Sequence, residues 1–261
     1  MKPSTSLLLA ALTLLLLGTT AFAQPDSLWS RTYGGSSADI ASAVIQTSDG
    51  GYAITGYTSS FLEPGAIGSF WLVKADERGD SLWSRTFPTE SGAAYSIVET
   101  PQRGLMIAGN AYFGVGMYLT ALDENGELLW NRMYGGDSAE QCHSIVRTMD
   151  GCYALGGISC SFGSGDADFW LIKINENGDS LWSKTIGDSA TDRCNAMIQT
   201  RDGGYAMAGE SHSNFSLARL DQNGDSLWMR YYGGPRIDNC NSLVQLTTVR
   251  KIHPAVAVTD G

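Results

Sequence analysis

Beyond residue 23 the sequence has no apolar run of the roughly 20 residues that a membrane-crossing helix needs, so no helical span is expected in the body of the chain. Proline is scarce, 7 residues against 31 glycines, and aromatic residues are frequent; that balance excludes a disordered tract and favours tight turns between strands. No Cys-x-x-Cys pair occurs among the five cysteines, which removes the usual framework of a structural zinc site. Gly-x-Ser-x-Gly, a phosphate loop and His-Glu-x-x-His are all missing, and there are only 3 histidines. Cations are few, 17 Lys and Arg against 27 Asp and Glu. The net charge of −10 argues against nucleic acid and anionic membranes as partners and leaves room for a cation.

The first residues read as a targeting signal. Lys2 supplies a short basic start, Leu7 to Leu17 an apolar run, and Ala21-Phe22-Ala23 the small residues a signal peptidase requires. Cleavage is expected near Ala23, with residues 1–23 removed and the chain exported to an extracellular or periplasmic space. No cysteine follows the apolar run, so lipid anchoring is not expected. An exported chain can form disulfides, but the odd count of Cys142, Cys152, Cys160, Cys194 and Cys240 leaves at least one without a partner in the chain.

What the sequence does contain is a repeat. Ser27-Leu28-Trp29-Ser30-Arg31-Thr32 returns as Ser81-Leu82-Trp83-Ser84-Arg85-Thr86, Leu128-Leu129-Trp130-Asn131-Arg132, Ser180-Leu181-Trp182-Ser183-Lys184-Thr185 and Ser226-Leu227-Trp228-Met229-Arg230. The tryptophans stand 54, 47, 52 and 46 residues apart, the length of one four-stranded propeller blade. In the first copy, Ala41 to Thr47 reads as strand one, Ser48-Asp49-Gly50-Gly51 as a turn and Tyr52 to Thr58 as strand two. After a variable loop come strand three at Phe70 to Ala75, the turn Asp76-Glu77-Arg78-Gly79 and strand four at Asp80 to Thr86.

Strand one opens on a small residue in every copy: Ala41, Ala94, Cys142, Cys194 and Cys240. Another follows two positions on, at Ala43, Ser96, Ser144, Ala196 and Ser242. Strict alternation would place these two positions on one face. The two apolar residues that follow, such as Ile145-Val146, call for burial on both faces, as in a strand crowded near a central axis. Three cysteines then serve as small core residues. Strand four, with Trp alternating with Arg or Lys, reads as an outer edge protected by charge.

The expected fold is therefore all-β: a β-propeller of four-stranded blades of about 50 residues. Four complete blades fall at about 41–86, 94–133, 142–185 and 194–231. A partial fifth is drawn from 27–32 and 240–246, within a repeat region of 24–246 and before an irregular tail at 247–261. The repeat stops in mid-blade, so an open or truncated ring is expected, with a second strand improvised after Ile252 as the alternative.

The segments Trp29-Ser30-Arg31-Thr32-Tyr33-Gly34-Gly35, Ile45 to Thr58 and Phe70-Trp71-Leu72-Val73-Lys74 resemble the secreted propeller-like repeat proteins of environmental bacteria, a quinoprotein-like and short β-propeller repeat group. The resemblance spans about residues 26–246. It implies the fold and an exported location, and no residue here can be matched to a quinone site.

Propeller function sits in loops and channel mouths. Two residues before the small position of strand one lie Asp39, Glu140, Asp192 and Asp238, with Gly92 in the second copy. Near a channel mouth, such a ring of carboxylates could hold Ca²⁺, or it could satisfy loop backbone groups. The long loops Ser59 to Ser69 and Ser159 to Asp168 are the expected ligand surface of a non-catalytic binding or scaffold module for a protein or a glycan. The other reading is an extracellular enzyme, a polysaccharide hydrolase or lyase or a quinoprotein-like oxidoreductase.

Overall fold

A computed structural model describes residues 28–62, 64, 66–87, 92–110, 115–234 and 236–245. The expected targeting segment and the tail at 247–261 lie outside the described residues. The chain divides into two units, residues 1–30 and residues 31–261, and every strand belongs to the second.

Among the described residues the regular structure is entirely strand. Blade one contains β1 (Asp39–Gln46), β2 (Tyr52–Thr58), β3 (Ser69–Ala75) and β4 (Ser81–Phe87), paired antiparallel in chain order. Blade four repeats this with β12 (Asp192–Gln199), β13 (Tyr205–Ser211), β14 (Asn214–Leu220) and β15 (Ser226–Tyr232). Blades two and three join into one seven-stranded sheet of β5 (Ala93–Glu99), β6 (Leu105–Asn110), β7 (Val115–Leu122), β8 (Leu128–Arg147), β9 (Tyr153–Ser159), β10 (Asp168–Ile174) and β11 (Ser180–Ile186).

The join is β8, 20 residues long, which serves as strand four of blade two and strand one of blade three. Two separate strands were expected there. The chain stays extended through Gly135-Gly136 because Val115 of β7 pairs with Ala139 beyond them. Among the described residues the sheets do not close into a ring, so their architecture is an open propeller-type array. Among the described residues 28–38 and 233–245 no strand forms, although Cys240 and Leu243 pack on Ala208, Phe215 and Leu217 of blade four much as a fifth inner strand would.

Strand one of each blade contains a β-bulge. Cys142 pairs opposite Gly157 and Ser144 opposite Gly156, so His143 is the extra residue. Ser42, Tyr95 and Asn195 are its counterparts. One inserted residue reverses the alternation, which overturns the expectation that the two small positions share a face. Cys142 joins the core with Met117, Leu119 and Trp170, while Ser144 donates from Oγ to the Met197 carbonyl of blade four at 3.1 Å. Glycine opposite each bulge is obligatory: a Cβ on Gly157 would lie 1.9 Å from the Gln141 carbonyl oxygen.

Cores form between successive blades. Phe70 and Leu72 meet Ile97 and Ile107; Met117 and Leu119 meet Ile145 and Leu155; Phe169 and Leu171 meet Met197 and Met207. Cys142 and Cys194 are fully buried, and burial raises both thiols, Cys142 to about 12. All five cysteines are free. At the outer edge, strand four grips the next blade's last hairpin: Tyr134 Oη donates to the Gly178 carbonyl at 2.6 Å, and Lys184 pairs with Asp225 at 2.6 Å. Tyr33 and Arg31 make the same contacts with Gly79 and Asp80 of blade one.

Candidate functional site

The β2–β3 type loops and the first residues of strand one share one rim, the loop rim. The hairpins joining strands one to two and three to four form the opposite, turn rim.

All four carboxylates singled out from the sequence lie on the loop rim, each engaged in its own blade. Each sits four residues after a backbone N–H that it accepts. Gly35 N donates to Asp39 Oδ2 at 2.8 Å, Gly136 N to Glu140 Oε2 at 3.3 Å, Asp188 N to Asp192 Oδ2 at 3.0 Å, and Gly234 N to Asp238 Oδ2 at 2.8 Å. Asp39 also accepts from Thr58 Oγ1 and from Ser60 Oγ at 2.7 Å. Burial raises its pKa, but those hydrogen bonds outweigh burial and hold it below the usual carboxylate range. Glu140 accepts from Ser159 Oγ and Ser161 N. Asp192 differs. Its Oδ1 is buried near the Ser211 hydroxyl, which engages His212 instead, and has no hydrogen bond of its own; burial, with the charges of Asp188 and Asp168 beside it, outweighs the lowering influence of Ser211 and the Asp188 N–H and pushes its pKa up. Among the described residues no group of three or more His, Cys, Asp or Glu side chains is placed to share a metal ion, so the structure does not bring these acids together as a ligand set.

The carboxylates fix the loops around them. In blades one and three, the Tyr-Gly-Gly segment packs under a Ser-Phe pair of the next long loop. A Cβ on Gly35 would meet Ser60 at 2.7 Å and Phe61 at 3.3 Å, and one on Gly136 would meet Ser161 at 2.6 Å and Phe162 at 3.2 Å. Phe61 leans on Trp71 with centroids 5.7 Å apart, Phe162 on Trp170 at 5.2 Å, and both phenylalanines are 44% exposed. The sequence held this signal, Ser60-Phe61 and Ser161-Phe162 at equivalent loop positions, but the pairing with Tyr-Gly-Gly shows only in three dimensions.

Between blades three and four the loop rim opens into a cavity of about 290 Å³, lined among others by Gln141, Cys160, Asp166 and Arg193. Asp192 N donates to the Ala167 carbonyl at 2.7 Å and ties the loop after Ser159 to blade four. The cavity presents an amide, a carboxylate, a guanidinium and an exposed thiol, a set suited to hydrogen-bonding a polar ligand. Beside it, the bulge residues link blades: Tyr95 stacks on His143 at 5.2 Å, and Asn195 Nδ2 donates to Asn239 Oδ1 at 2.7 Å. Burial lowers the His143 pKa, so its ring is neutral near pH 7. His212 lies 2.9 Å from Ser211 Oγ and 3.6 Å from Asp188, but Ser211 is fully buried and its hydroxyl is not presented to a substrate.

No protein-family model and no curated protein matches the chain. Solved structures with similar folds include Sqt1 from Chaetomium thermophilum, 15% identical with a TM-score of 0.45, over 73% of this chain and 48% of that one. The WD40 domain of Pan2 from Neurospora crassa is 12% identical with a TM-score of 0.43, over 77% and 68%. BamB from Moraxella catarrhalis is 12% identical with a TM-score of 0.33, over 73% and 76%. The propeller type stands on the blades themselves, successive antiparallel units of four strands paired in chain order, of which the first and last are separate sheets and the second and third share β8. No helix among the described residues is long and apolar enough to cross a membrane.

Proposed function

We propose that this protein is a secreted, non-catalytic binding module that takes a polar ligand on its loop rim. The location follows from the Lys2, Leu7–Leu17 and Ala21-Phe22-Ala23 pattern. The observation that carries the binding role is the pair of exposed phenyl rings, Phe61 and Phe162, together with the polar cavity between blades three and four. Aromatic faces beside a few fixed polar groups are the usual make-up of a ligand site. The rings stand apart from the cavity along the same rim, a spread that favours a glycan chain, whose sugar faces stack on rings and whose hydroxyls meet Arg193, Asp166 and Gln141; an extended protein segment is the other occupant of the same rim.

Affinity measurements on immobilised polysaccharides test this reading, with Phe162→Ala and Arg193→Ala set against the turn-rim variant Glu77→Ala. Retention that falls at least tenfold in the two loop variants and holds in the turn variant supports it. Retention indifferent to both loop substitutions overturns the site. Accumulation of reducing ends or unsaturated products during the incubation would replace binding with the enzyme reading.

A further inference from the structure

On the turn rim, three blades carry a buried cation at the same place. Lys74, Lys173 and Arg219 occupy the penultimate position of strand three, opposite Ala53, Ala154 and Ala206. Each reaches back to a Thr-x-Asp turn. Lys74 Nζ lies 3.0 Å from Thr47 Oγ1 and 2.9 Å from Asp49, and Lys173 Nζ 2.6 Å from Thr148 Oγ1 and 2.9 Å from Asp150. Arg219 pairs with Asp202 in the same way. Lys173 also donates across the blade boundary to Tyr205 Oη at 3.3 Å.

Blade two breaks the pattern. The cation position is Ala121, paired opposite Met106, and the turn reads Thr100-Pro101-Gln102. Met106 supplies apolar bulk in place of the lysine stem, but nothing supplies the charged head. A cavity of about 580 Å³ remains between blades two and three, lined by Ala121, Thr100, Gln102, Trp130 and Tyr153. Three carboxylates border it, Asp123, Glu124 and Glu176, and no lysine or arginine does. Asp123 is held anionic by the backbone N–H groups of Glu127 and Asn125 in its own turn. Tyr153 is the counterpart of Tyr205. It is only 1% exposed, and its hydroxyl has no hydrogen-bond partner among the described residues, where Tyr205 receives one from Lys173. The hydroxyl is not sealed in the core: Tyr153 lines the acid-walled cavity at the place of an absent ammonium. The neighbouring cations are Arg103, in the turn between Gln102 and Gly104, Arg132, which stacks over Trp130 at 5.3 Å, and Arg147, paired opposite Tyr153 in the sheet; none of the three lines the cavity.

We propose that this cavity is a binding site for a primary alkylammonium group of about lysine length, seated between Thr100, Gln102 and Tyr153 with Glu124 and Glu176 at its mouth. The ligand completes in trans the cation that the other three blades carry in cis, and Trp130 offers an aromatic wall of the kind cations favour. The site is on the rim opposite the proposed glycan surface and does not depend on it.

The test titrates n-butylammonium chloride into the full ¹⁵N-labelled chain, with n-pentanol and NaCl as controls for apolar bulk and ionic strength. Saturable millimolar shifts at the amides of Gln102, Ala121 and Tyr153, absent at Lys74 and Lys173 and absent with either control, are expected. Tyr153→Phe should weaken the affinity at least threefold. The double variant Ala121→Lys with Met106→Ala, which restores the internal cation, should abolish it. Should that variant fail to give a dispersed spectrum, Gln102→Leu serves in its place and should likewise weaken binding. N-acetyl-lysine-N-methylamide separates the two sources of the ligand: tighter binding than n-butylammonium marks a lysine side chain of a peptide, equal binding a free amine. Shifts equally large with pentanol, no saturation, or unchanged affinity in Tyr153→Phe would overturn the proposal.

Discussion

The Trp130 ring of blade two lies over Gly178 in the last hairpin of blade three, where an added Cβ would stand 2.7 Å from Cη2. Trp83 over Gly126 and Trp182 over Gly224 repeat the contact at the two neighbouring boundaries. Trp83, Trp130 and Trp182 therefore each stack one blade on the next, and the turn glycine is chosen by the neighbour as well as by its own positive φ.

Two glycines separate these effects. Gly178 has φ +80° and the indole above it, whereas Gly151 has φ +82° and nothing within 4 Å. Alanine at either position takes on a left-handed backbone cost of about 1–2 kcal/mol. Gly178→Ala adds overpacking of about 1–3 kcal/mol against Trp130. Urea unfolding should place Gly178→Ala well below Gly151→Ala in midpoint; equal midpoints would mean that the indole moves aside freely.

The open end of the array makes one inner strand unlike the rest. Val44 of β1 is 61% exposed, while its counterparts Ile97, Ile145 and Met197 are buried against a preceding blade. Ile145→Ala should cost about 2–5 kcal/mol, and Val44→Ala about 0.5 kcal/mol or less. A comparable loss at Val44, measured by denaturant unfolding, would show that a further element covers β1 in solution.

These features show where the sequence is readable. Strand-four Trp, the Asp-x-Asn-Gly turns and paired apolar residues such as Ile145-Val146 report local periodicity, and from them blades and strand order follow. The bulge at His143 was written in the glycine opposite it, Gly157, but a glycine in a strand has several readings until its partner strand is known. The carboxylates were legible by position, and satisfying loop backbone groups was one of the two roles expected of them; which group each accepts from, Gly35 for Asp39 or Ser161 for Glu140, depends on loop shape. Ala121 in place of Lys74, Lys173 and Arg219 is visible once repeats are aligned. Its consequence is not, since the hydroxyl it leaves without a partner belongs to Tyr153 in the next blade.

The Lys–Asp clamps predict acid sensitivity. Burial raises the pKa of Asp150, but Thr148 and Lys173 outweigh it and bring it down to about 2, against an unfolded value of about 3.9. A depressed carboxylate contributes stability that is complete above the unfolded pKa and is lost as pH falls through the folded one. Urea midpoints of the parent chain should therefore fall between about pH 4 and pH 2. Asp150→Asn, lacking the titrating group, should start lower at neutral pH and show a shallower fall. The carboxylate is largely solvent-exposed, so the effect is modest. Parallel curves for the two proteins would remove Asp150 from the acid transition.

Asp39 and Asp192 hold equivalent positions and should respond oppositely to the same change. Asp39 accepts hydrogen bonds on both oxygens, so Asp39→Asn turns a donor toward Thr58 or Ser60 and should cost about 1–3 kcal/mol. Asp192 has a buried, unpartnered Oδ1 and faces the charges of Asp168 and Asp188. Its raised pKa means the folded state keeps the proton longer, so its contribution to stability declines as pH climbs from the unfolded value toward the folded one. Asp192→Asn removes that decline and should leave the urea midpoint at pH 7 unchanged or higher. A bound cation is the other way to relieve the same carboxylate. The Ca²⁺ reading of the sequence requires that calcium raise the midpoint of the parent chain and that the rise vanish in Asp192→Asn. A midpoint indifferent to calcium in both proteins assigns these acids to holding the loops alone.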